Sequence, residues 1–439
     1  MMRKMIGWLR GKNSIRLVTP ARPQSYWGIV KRQFRNHRLA NWALRGLYLF
    51  IFIAFFGDFL ANDKPIYCKI DNEHHFPVFR EYAVNLGLAS WKGEFFRKDW
   101  DEHDYQTKWM PPIPYSSTSL DRKNTNSKSP FGPQKIENTR YWHWLGTDDL
   151  GRDVAAGLIK GARVAMQVGI VSMLIATLIG VFLGTLAGYF GDYRLQISRA
   201  RILCNGIAVF LSYFYGIQTR LFVLQETKAF GWELCKSIVL ILFFFSLLNV
   251  LVSLVKKIPF FAQKMRLPID LIIMRTIEIL NSIPGLLLIL SIVAILDKPS
   301  IFYLMIFIGL IGWTGIARFI RAEMLRIRQL DYIQAAQSIG LKDWQIMLQH
   351  AIPNALTPVL ITIAFGIAGA ILLESTLSFL GVGVQVDAVT WGALLREARS
   401  NFSAWWLAIF PGLAIFVTVS LFNLVGEGLA DAMDPNQKR

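Results

Sequence analysis

Long runs of apolar residues constrain the fold of this chain more than any other feature of its sequence. A helix needs roughly 20 mainly apolar residues to cross the hydrocarbon core of a bilayer. Of the 439 residues, 53% are hydrophobic and only 18% are charged, and the mean hydropathy of +0.38 is too high for an ordinary soluble domain. We therefore predict an all-α, polytopic membrane helical bundle of about eight spans, at residues 46–61, 164–190, 202–219, 237–255, 277–296, 301–317, 355–380 and 405–425.

The third apolar run is the weakest of the eight, because it is short and carries Asn205 and Gln218. We keep it as a span or a paired re-entrant segment. Without it, the basic region 318–328 would lie outside, against the bias of Lys and Arg toward the cytoplasmic face. With it, the N-terminus, the basic run 256–266 and the C-terminus are all predicted to be cytoplasmic.

The formal net charge is +17, and the Lys and Arg residues that carry it lie mainly beside the spans, which argues against a nucleic-acid partner. Residues 1–46 hold eleven basic side chains and no acidic one, and this asymmetry predicts a cytoplasmic N-terminus. The first apolar run begins only near residue 46, too late for the apolar core of a cleavable signal peptide. We interpret that run as a retained first span, with membrane lipids as neighbours.

The region between the first two spans is predicted to be an irregular outer loop, because residues 62–140 are rich in Pro, Ser, Asn and aromatic residues. After it, Asp148 and Asp149 resemble the acidic start of a short interfacial helix, and Gly146 supplies the turn before it. The resulting organisation is a basic segment at 1–45, a first span at 46–61, an outer loop with an interfacial helix at 62–163, a membrane core at 164–430 and a tail at 431–439.

The cysteines Cys68, Cys204 and Cys235 fall in a loop, a span and a span edge, so we predict no disulfide framework. Cys68 is interpreted as a lone surface thiol. The side chains after it are of types that bind transition metals, namely Asp71, Glu73, His74 and His75. Their spacing matches no standard site, and we predict solvated polar residues rather than a metal site.

Three glycines in the second span, Gly180, Gly184 and Gly188, recur at every fourth residue. This spacing favours a face on which another helix approaches closely, although glycine is also common in membrane helices generally. Carboxylates within spans are costly and therefore candidates for function. Glu374 is the stronger of the two found, while Glu278 lies near an inner end, where pairing with Arg275 or water is the simpler interpretation.

A water-facing segment, "DYIQAAQSIGLKDWQIMLQHAIPNAL", separates two apolar runs at residues 331–356. Its spacing predicts a helix with Leu330, Ile333, Ala336 and Ile339 near one face. We expect the small Ala335 and Ala336 to let a partner surface approach closely, outside the bundle. Gly340 supplies the left-handed turn that ends the helix. A second short helix follows, and we expect Pro353 to stop it before the next span.

This segment resembles the EAA loop of ABC importer permeases. The matching residues are Ala335, Ala336, Gly340, Ile352 and Pro353, while Gln334 replaces the leading glutamate of the family pattern. The blocks "LGTDDLGRDVAAGLIKGAR", "DLIIMRTIEILNSIPGLLLI", "ESTLSFLGVGVQVDAVTWGALL" and "NLVGEGLADAMDP" also resemble peptide-importer permeases, in the right order. The outer-loop stretches "ANDKPIYCKIDNEHHFPVFREY" and "WMPPIPYS" resemble the Yej-type subfamily, which is implicated in the uptake of oligopeptides and microcin C.

The resemblance implies a type I ABC importer permease in a bacterial inner membrane, with six shared spans and two inserted spans at about 196–265. It implies that the loop within 318–353 docks on an ABC ATPase, that a homologous permease subunit pairs with this chain, and that an extracytoplasmic binding protein delivers peptide. Because a carboxylate within a span is costly, we also predict that Glu374 lines the translocation path or bonds to a neighbouring helix. The inserted spans are expected to face lipid, or else to receive another subunit.

No G-x-x-x-x-G-K-[ST] loop for nucleotide phosphates occurs in the sequence. We therefore expect no catalytic residue and no bound cofactor, with ATP and Mg used by the partner ATPase. The alternatives are a permease for another solute such as dipeptides or nickel, a polytopic membrane enzyme, and a channel or secondary transporter. An enzyme would need converging polar groups at membrane depth, and the sequence offers only isolated ones.

Overall fold

The computed structural model describes residues 26–85, 87–91, 93, 95, 100, 104–136, 138–226, 230–296, 300–382 and 389–433. Residues 1–25 of the predicted basic segment 1–45 and residues 434–439 of the predicted tail lie outside this description. The helices are α1 (Tyr26–Asn36), α2 (Arg38–Leu60), α3 (Pro77–Asn85), α4 (Val154–Phe190), α5 (Arg199–Gly216), α6 (Leu221–Glu226), α7 (Phe230–Val255), α8 (Pro259–Ala262), α9 (Ile269–Asn281), α10 (Gly285–Ala294), α11 (Ile301–Ile327), α12 (Asp331–Ser338), α13 (Asp343–Ile346), α14 (Ile352–Phe379), α15 (Trp391–Ser400) and α16 (Trp406–Met433).

The predicted helical membrane bundle is confirmed. Across the described ranges, seven helical stretches are long and apolar enough to cross a membrane, and the bent pair α9–α10 makes an eighth if it is counted as one span. The first stretch begins at Arg38, earlier than predicted. The apolar stretch around the weak third run is helical from Arg199 to Val223.

The span predicted at 277–296 is wrong in its shape. The chain is helical from Ile269 and bends by 78° between α9 and α10. The break falls at the sequence Ser282-Ile283-Pro284, where Pro284 precedes the first residue of α10. Proline has no N–H to donate and disfavours helical geometry in the residue before it, so the apolar run cannot continue as one straight helix.

The separate interfacial helix predicted before the second span is also wrong, because α4 is continuous over 37 residues. Its N-cap is Asp153, whose Oδ1 accepts a hydrogen bond from the Ala156 backbone N–H at 2.7 Å. Asp148 instead accepts a bond from the Arg152 backbone N–H within the preceding turn. Gly146 makes the expected turn, with a φ of +80°.

The outer loop is more regular than predicted. It contains a three-stranded antiparallel sheet of β1 (Tyr67–Ile70), β2 (Glu73–His75) and β3 (Thr107–Trp109), with β1 in the middle and Cys68 opposite His75 and Lys108. Cys68 is fully buried rather than a surface thiol, and burial raises the pKa of its thiol to about 11. The sheet was not predicted from the sequence because its strands are only three or four residues long.

Helix α4 is the centre of the bundle, packing against α11 along most of its length and also against α2 and α14. The main core lies between α4, α11 and the N-terminal end of α14, and it includes Tyr189, Ile320 and Met324. Helix α16 packs on α2 and α14. At the base of α16, Asp431 lies 3.4 Å from His37 at the start of α2, which ties the two helix ends together.

The inserted region forms a helical hairpin of α5 and α7 with a small core of its own, built from Ala200, Cys204, Ala208, Leu248 and Val252. Its neck is closed by two antiparallel strands, β4 (Gln196–Ser198) and β5 (Lys264–Arg266), in which Gln196 lies opposite Arg266. Beyond the strands, the Leu267 N–H donates to the Leu195 carbonyl oxygen at 3.0 Å. The two ends of the insertion therefore lie side by side.

Candidate functional site

The segment between α11 and α14 folds as two short helices joined by a glycine turn. Helix α12 ends in a Schellman motif, in which the Leu341 N–H donates to the Ala336 carbonyl at 3.2 Å and the Gly340 N–H to the Gln337 carbonyl at 3.0 Å. Gly340 has a φ of +84°, which non-glycine residues rarely adopt. The turn between the two helices follows from this local glycine signal. We call residues 331–353 the coupling segment.

One side of the coupling segment is anchored in the main core of the protein. Ile333, Ala336, Ile346 and Ala351 are all buried there. The anchoring overturns the expectation that the segment stands outside the bundle and that Ala336 faces a partner. Ala336 is small because it packs against this chain.

Polar bonds reinforce this anchoring at the C-terminal end of α4. The Tyr189 hydroxyl donates to Asp343 Oδ1 at 2.8 Å. Arg194, four residues beyond the end of α4, donates to Gln337 Oε1 at 3.2 Å. The coupling segment therefore contacts α4 as well as the core formed with α11 and α14.

The opposite side of the coupling segment exposes large apolar side chains. Ile339 is 78% exposed, Leu348 56% and Trp344 53%. Ile339 was predicted on the same helix face as Ile333. It points away because it is the C-cap of α12, after the helix has begun to unwind. The i, i+4 spacing of Trp344 and Leu348 was the missed sequence signal of this surface.

The remaining residues of the predicted docking motif divide between these two sides. Gln334 and Ala335 are exposed, and the Gln334 side-chain amide donates to the Gln329 carbonyl oxygen at 3.1 Å. Ile352 is partly buried, and Pro353 is exposed. Beside Pro353 an open groove is lined by Arg326, Tyr332, Asn354 and Met433.

Pro353 does not stop a helix, contrary to expectation, since residues Asp343–Phe379 form one helical stretch. The turn before it, Met347–Ala351, is a π-helix, and the Ile352 N–H donates to the Met347 carbonyl oxygen. The wider turn accommodates the ring of Pro353 in the first turn of α14, where a missing N–H is tolerated. Residues 343–353 of the coupling segment and the seventh predicted span are therefore parts of one continuous helical stretch.

The glycine face of α4 lies against α11. A methyl group added at Gly180, Gly184 or Gly188 would come within 2.9, 2.5 and 2.6 Å of backbone carbonyl oxygens of α11, closer than real contacts. Near the other end of the contact, Gly309 of α11 lies against Ser172 and Ile175 of α4. The two helices approach closely because both sides lack side chains.

Glu374 is buried at the junction of α14 and α15. Its carboxylate accepts hydrogen bonds from the hydroxyls of Ser378, at 2.6 Å, and Ser375, at 3.3 Å. The Thr390 hydroxyl also bonds to it, and Thr390 is the N-cap of α15. In this structure Glu374 thus joins two helices. Glu278, by contrast, is exposed and pairs with Arg275 at 2.6 Å.

Two buried clusters of charged groups at the outer face were not predicted from the sequence. In the first, His143 is fully buried between Asp153, at 2.8 Å, and Asp121, at 3.2 Å. Burial acts to lower the pKa of His143, but its bonds to Asp153 and Asp121 outweigh burial and raise it. His143 therefore links Asp153, the N-cap of α4, to Asp121 of the outer loop.

The second cluster joins the start of α4 to α15 through Arg152, which bonds to Asp148 and lies 2.9 Å from Glu397. Burial and the nearby Asp148 raise the pKa of Glu397 to about 7, against the opposing effect of Arg152 and Arg396. One carboxylate oxygen of Glu397 is buried without a hydrogen-bond partner. The outer end of the bundle thus contains a carboxyl group poised to titrate near neutrality.

The histidine cluster of the outer loop has structural neighbours. His74 Nδ1 lies 2.8 Å from the Tyr67 hydroxyl, and its ring stacks on that tyrosine. Within the described part of the chain, no group of three or more His, Cys, Asp or Glu side chains is arranged to hold a metal ion.

Comparison with known proteins identifies two matching family models. Residues 258–439 match the binding-protein-dependent transport system inner membrane component, and residues 25–76 match the N-terminal transmembrane domain of oligopeptide transport permease C. The first match covers the coupling segment together with α9–α16. The second covers α1, α2 and the first two strands of the outer sheet.

The chain is similar to curated permeases over most of its length. It is 27% identical to the peptidoglycan transport system permease protein YejE of Agrobacterium fabrum, covering 96% of each chain. It is 26% identical to the inner membrane ABC transporter permease protein YejE of Escherichia coli, covering 92% of this chain and 96% of that one. It is 31% identical to the glutathione transport system permease protein GsiD of Pectobacterium atrosepticum, covering 67% of this chain and 73% of the relative.

Proposed function

We propose a function for this chain from the premise that it belongs to the family of binding-protein-dependent inner-membrane permeases, the membrane subunits of ABC importers. It is the permease subunit of an ABC importer that moves oligopeptides into the cell, including peptides of the microcin C kind. ATP, with Mg, is hydrolysed by a partner ATPase that docks on the coupling segment. The chain itself contributes no catalytic group.

The single observation that carries the coupling role is the two-sided character of the coupling segment. Ile339, Trp344 and Leu348 are exposed on the side of the coupling segment that faces away from the core, and a group of large exposed apolar side chains marks an interaction surface. The reverse side is buried in the core that joins α4, α11 and α14. A partner that moves this surface would move three membrane helices with it.

The proposed orientation places the N-terminus, the hairpin neck and the coupling segment in the cytoplasm of a bacterial cell. The basic residues of these regions support it, since cytoplasmic loops carry an excess of Lys and Arg. The outer sheet and the charged clusters of His143 and Glu397 then face the extracytoplasmic side. A homologous permease would complete the pathway, and a binding protein would deliver peptide to this outer face.

Peptides are the proposed substrate class because the similar permeases are named for such cargo: dipeptides, oligopeptides, glutathione and peptidoglycan. A dipeptide is the alternative cargo, because the similar dipeptide permeases match 67–68% of this chain. The Yej-type relatives match 92–96% of it, including the outer region, and therefore favour longer peptides.

Reconstitution tests this proposal directly. The chain is co-expressed with its sister permease and ATPase, purified, and placed in liposomes with a binding protein and radiolabelled peptides of two to ten residues. The proposal expects the ATPase to co-purify and tri- to decapeptides to accumulate only with ATP. Preferential dipeptide uptake would replace the cargo assignment, and failure of any ATPase to co-purify would overturn the coupling role.

A further inference from the structure

The cytoplasmic neck of the inserted hairpin concentrates positive charge. Residues 193–204 and 252–269 together contain seven basic side chains and no acidic one. Arg194 is engaged with Gln337 of the coupling segment. The other six are Arg199, Arg201, Lys256, Lys257, Lys264 and Arg266. We call these six residues the neck cations.

Within the described ranges, none of the neck cations forms an ion pair with a carboxylate. The nearest acidic residues along the chain are committed elsewhere. Asp270 pairs with Arg321, and Asp192 accepts a hydrogen bond from the Leu271 N–H at 3.0 Å. The neck is therefore a concentrated, uncompensated positive surface.

The fold holds these cations in place rather than leaving them on a loose loop. The β4–β5 ladder pairs Ser198 with Lys264 and Gln196 with Arg266, so that the two basic side chains of β5 share one face. The Arg199 guanidinium lies 4.5 Å from the ring centre of Phe260, a cation–π contact. Arg266 lies 5.7 Å from the ring centre of Tyr193.

Apolar side chains surround the cations on the same neck. Ile258, Phe260 and Met265 are exposed. Ile258 follows Lys257 in the sequence and Met265 follows Lys264, while Phe260 contacts the Arg199 guanidinium. Above the neck, the outward faces of α5 and α7 are apolar, with Phe210, Val239 and Leu242 among the exposed residues. These hairpin faces lie along a membrane span, so lipid chains cover them, and the headgroups of those lipids come to the neck.

We propose that the neck cations bind the headgroups of anionic phospholipids, which makes the inserted hairpin a lipid-recognition element. The positive charge of the neck complements anionic headgroups, and the cations lie where the exposed apolar face of the hairpin ends. Lys and Arg reach the headgroups while the interleaved Phe and Ile side chains enter the acyl boundary. This role is independent of the transported substrate.

Native mass spectrometry of the purified full-length protein, titrated with dioleoyl phosphatidylglycerol or dioleoyl phosphatidylcholine, tests the proposal. The variant carries Lys256→Gln, Lys257→Gln and Lys264→Gln together. Each basic residue near an anionic surface contributes about fivefold in affinity, so the variant should bind phosphatidylglycerol roughly 100-fold more weakly. Phosphatidylcholine binding should not change.

The matched control neutralises three exposed basic residues of the outer region, Lys108→Gln, Arg122→Gln and Lys135→Gln. It removes the same charge and should retain phosphatidylglycerol binding. Equal loss in both variants, or equal affinity of the unmodified protein for the two lipids, overturns the proposal. If the neck variant keeps its lipid but releases the ATPase, the cations serve a protein partner and the proposal is likewise overturned.

Discussion

Individual glycines decide how closely the central helices approach. Gly184 is the clearest case, because a Cβ atom there would lie 2.5 Å from the Ala317 carbonyl oxygen and 2.9 Å from the Ile320 side chain. Neither the backbone of α11 nor the buried Ile320 can withdraw without moving the helix. The glycine spacing in the sequence was therefore a packing signal, and its physical content is the absence of side-chain volume.

Replacing Gly184 with Leu should separate α4 from α11. Overpacking of this kind costs about 1–3 kcal/mol, so we expect a clear fall in the thermal unfolding temperature of the purified protein. The control is Gly206→Leu in the inserted hairpin, where no atom lies within 4 Å of an added Cβ. Equal melting temperatures for the Gly184 variant and the unmodified protein would contradict the packing account.

Single titratable residues of the outer region also make the stability of the protein depend on pH. In the folded protein the pKa of Glu397 is raised from 4.5 to about 7, so folding favours the protonated carboxyl group. Its stabilising contribution is fully present below pH 4.5 and is lost as the pH rises through about 7. His143, whose pKa is also raised, changes stability in the same direction.

We predict that the protein melts at a higher temperature at pH 5.5 than at pH 8. Glu397→Gln should flatten this dependence, leaving the part due to His143, because the amide cannot lose a proton. Glu278→Gln, at an exposed carboxylate, is the control and should keep the full slope. The account fails if the Glu397 variant and the unmodified protein show the same dependence on pH between these values.

Among the elements, the coupling segment depends most on one backbone conformation. Gly340 has a φ of +84° and no atom within 4 Å of an added Cβ. A substitution there is therefore limited by backbone strain alone and not by crowding. Asparagine tolerates the left-handed region far better than a β-branched residue does.

Gly340→Val should impair ATPase binding and peptide uptake severely, whereas Gly340→Asn should retain most of both. Membrane insertion should be normal in each case, since the change is at an exposed turn. Co-purification of the ATPase and uptake into proteoliposomes provide the measurements. Similar losses in the two variants would indicate that side-chain volume matters, and the strain argument would be wrong. Ala336→Trp is a different case, because Ala336 is buried and the fold itself should suffer.

Elements with local signals were predictable from the sequence, and those that depend on distant contacts were not. The Gly340 turn and the eight apolar runs follow from spacing and length. The hydrogen bond between Arg152 and Glu397 joins residues 245 positions apart in the sequence, and no local sequence pattern predicts it. Ile339 was misplaced because helical periodicity was extended one residue past the end of α12. Pro353 was misread because the π turn before it has no recognised sequence signal.

At the scale of the whole molecule, the inserted hairpin is a separable unit. Its helices pack mainly on each other, and the main-chain bond between Leu195 and Leu267 closes its base. The core helices α4, α11 and α14 make their contacts without it. The hairpin thus has a core of its own, separate from the main core of the bundle.

Deletion of residues 196–265, with Leu195 joined to Arg266 through two glycines, should therefore leave a folded permease. We expect membrane insertion, pairing with the sister permease and peptide uptake to persist, while selective binding of phosphatidylglycerol is lost. The control deletes α5 alone. This variant should misfold, because the face of α7 that packs against α5 would have no partner. Loss of pairing in the complete deletion, with normal insertion, would contradict a peripheral position.

The most direct test of the central claim is the affinity of the ABC ATPase for the permease when the exposed face of the coupling segment is altered. Ile339→Asp combined with Trp344→Asp places charges on that face and leaves the buried anchors Ile333 and Ile346 intact. Leu88→Asp, at an exposed apolar residue of the outer region, is the control. Our account predicts that the double variant inserts normally but loses ATPase binding and peptide uptake together, with the control unaffected. Unchanged ATPase affinity and uptake in the double variant would contradict it.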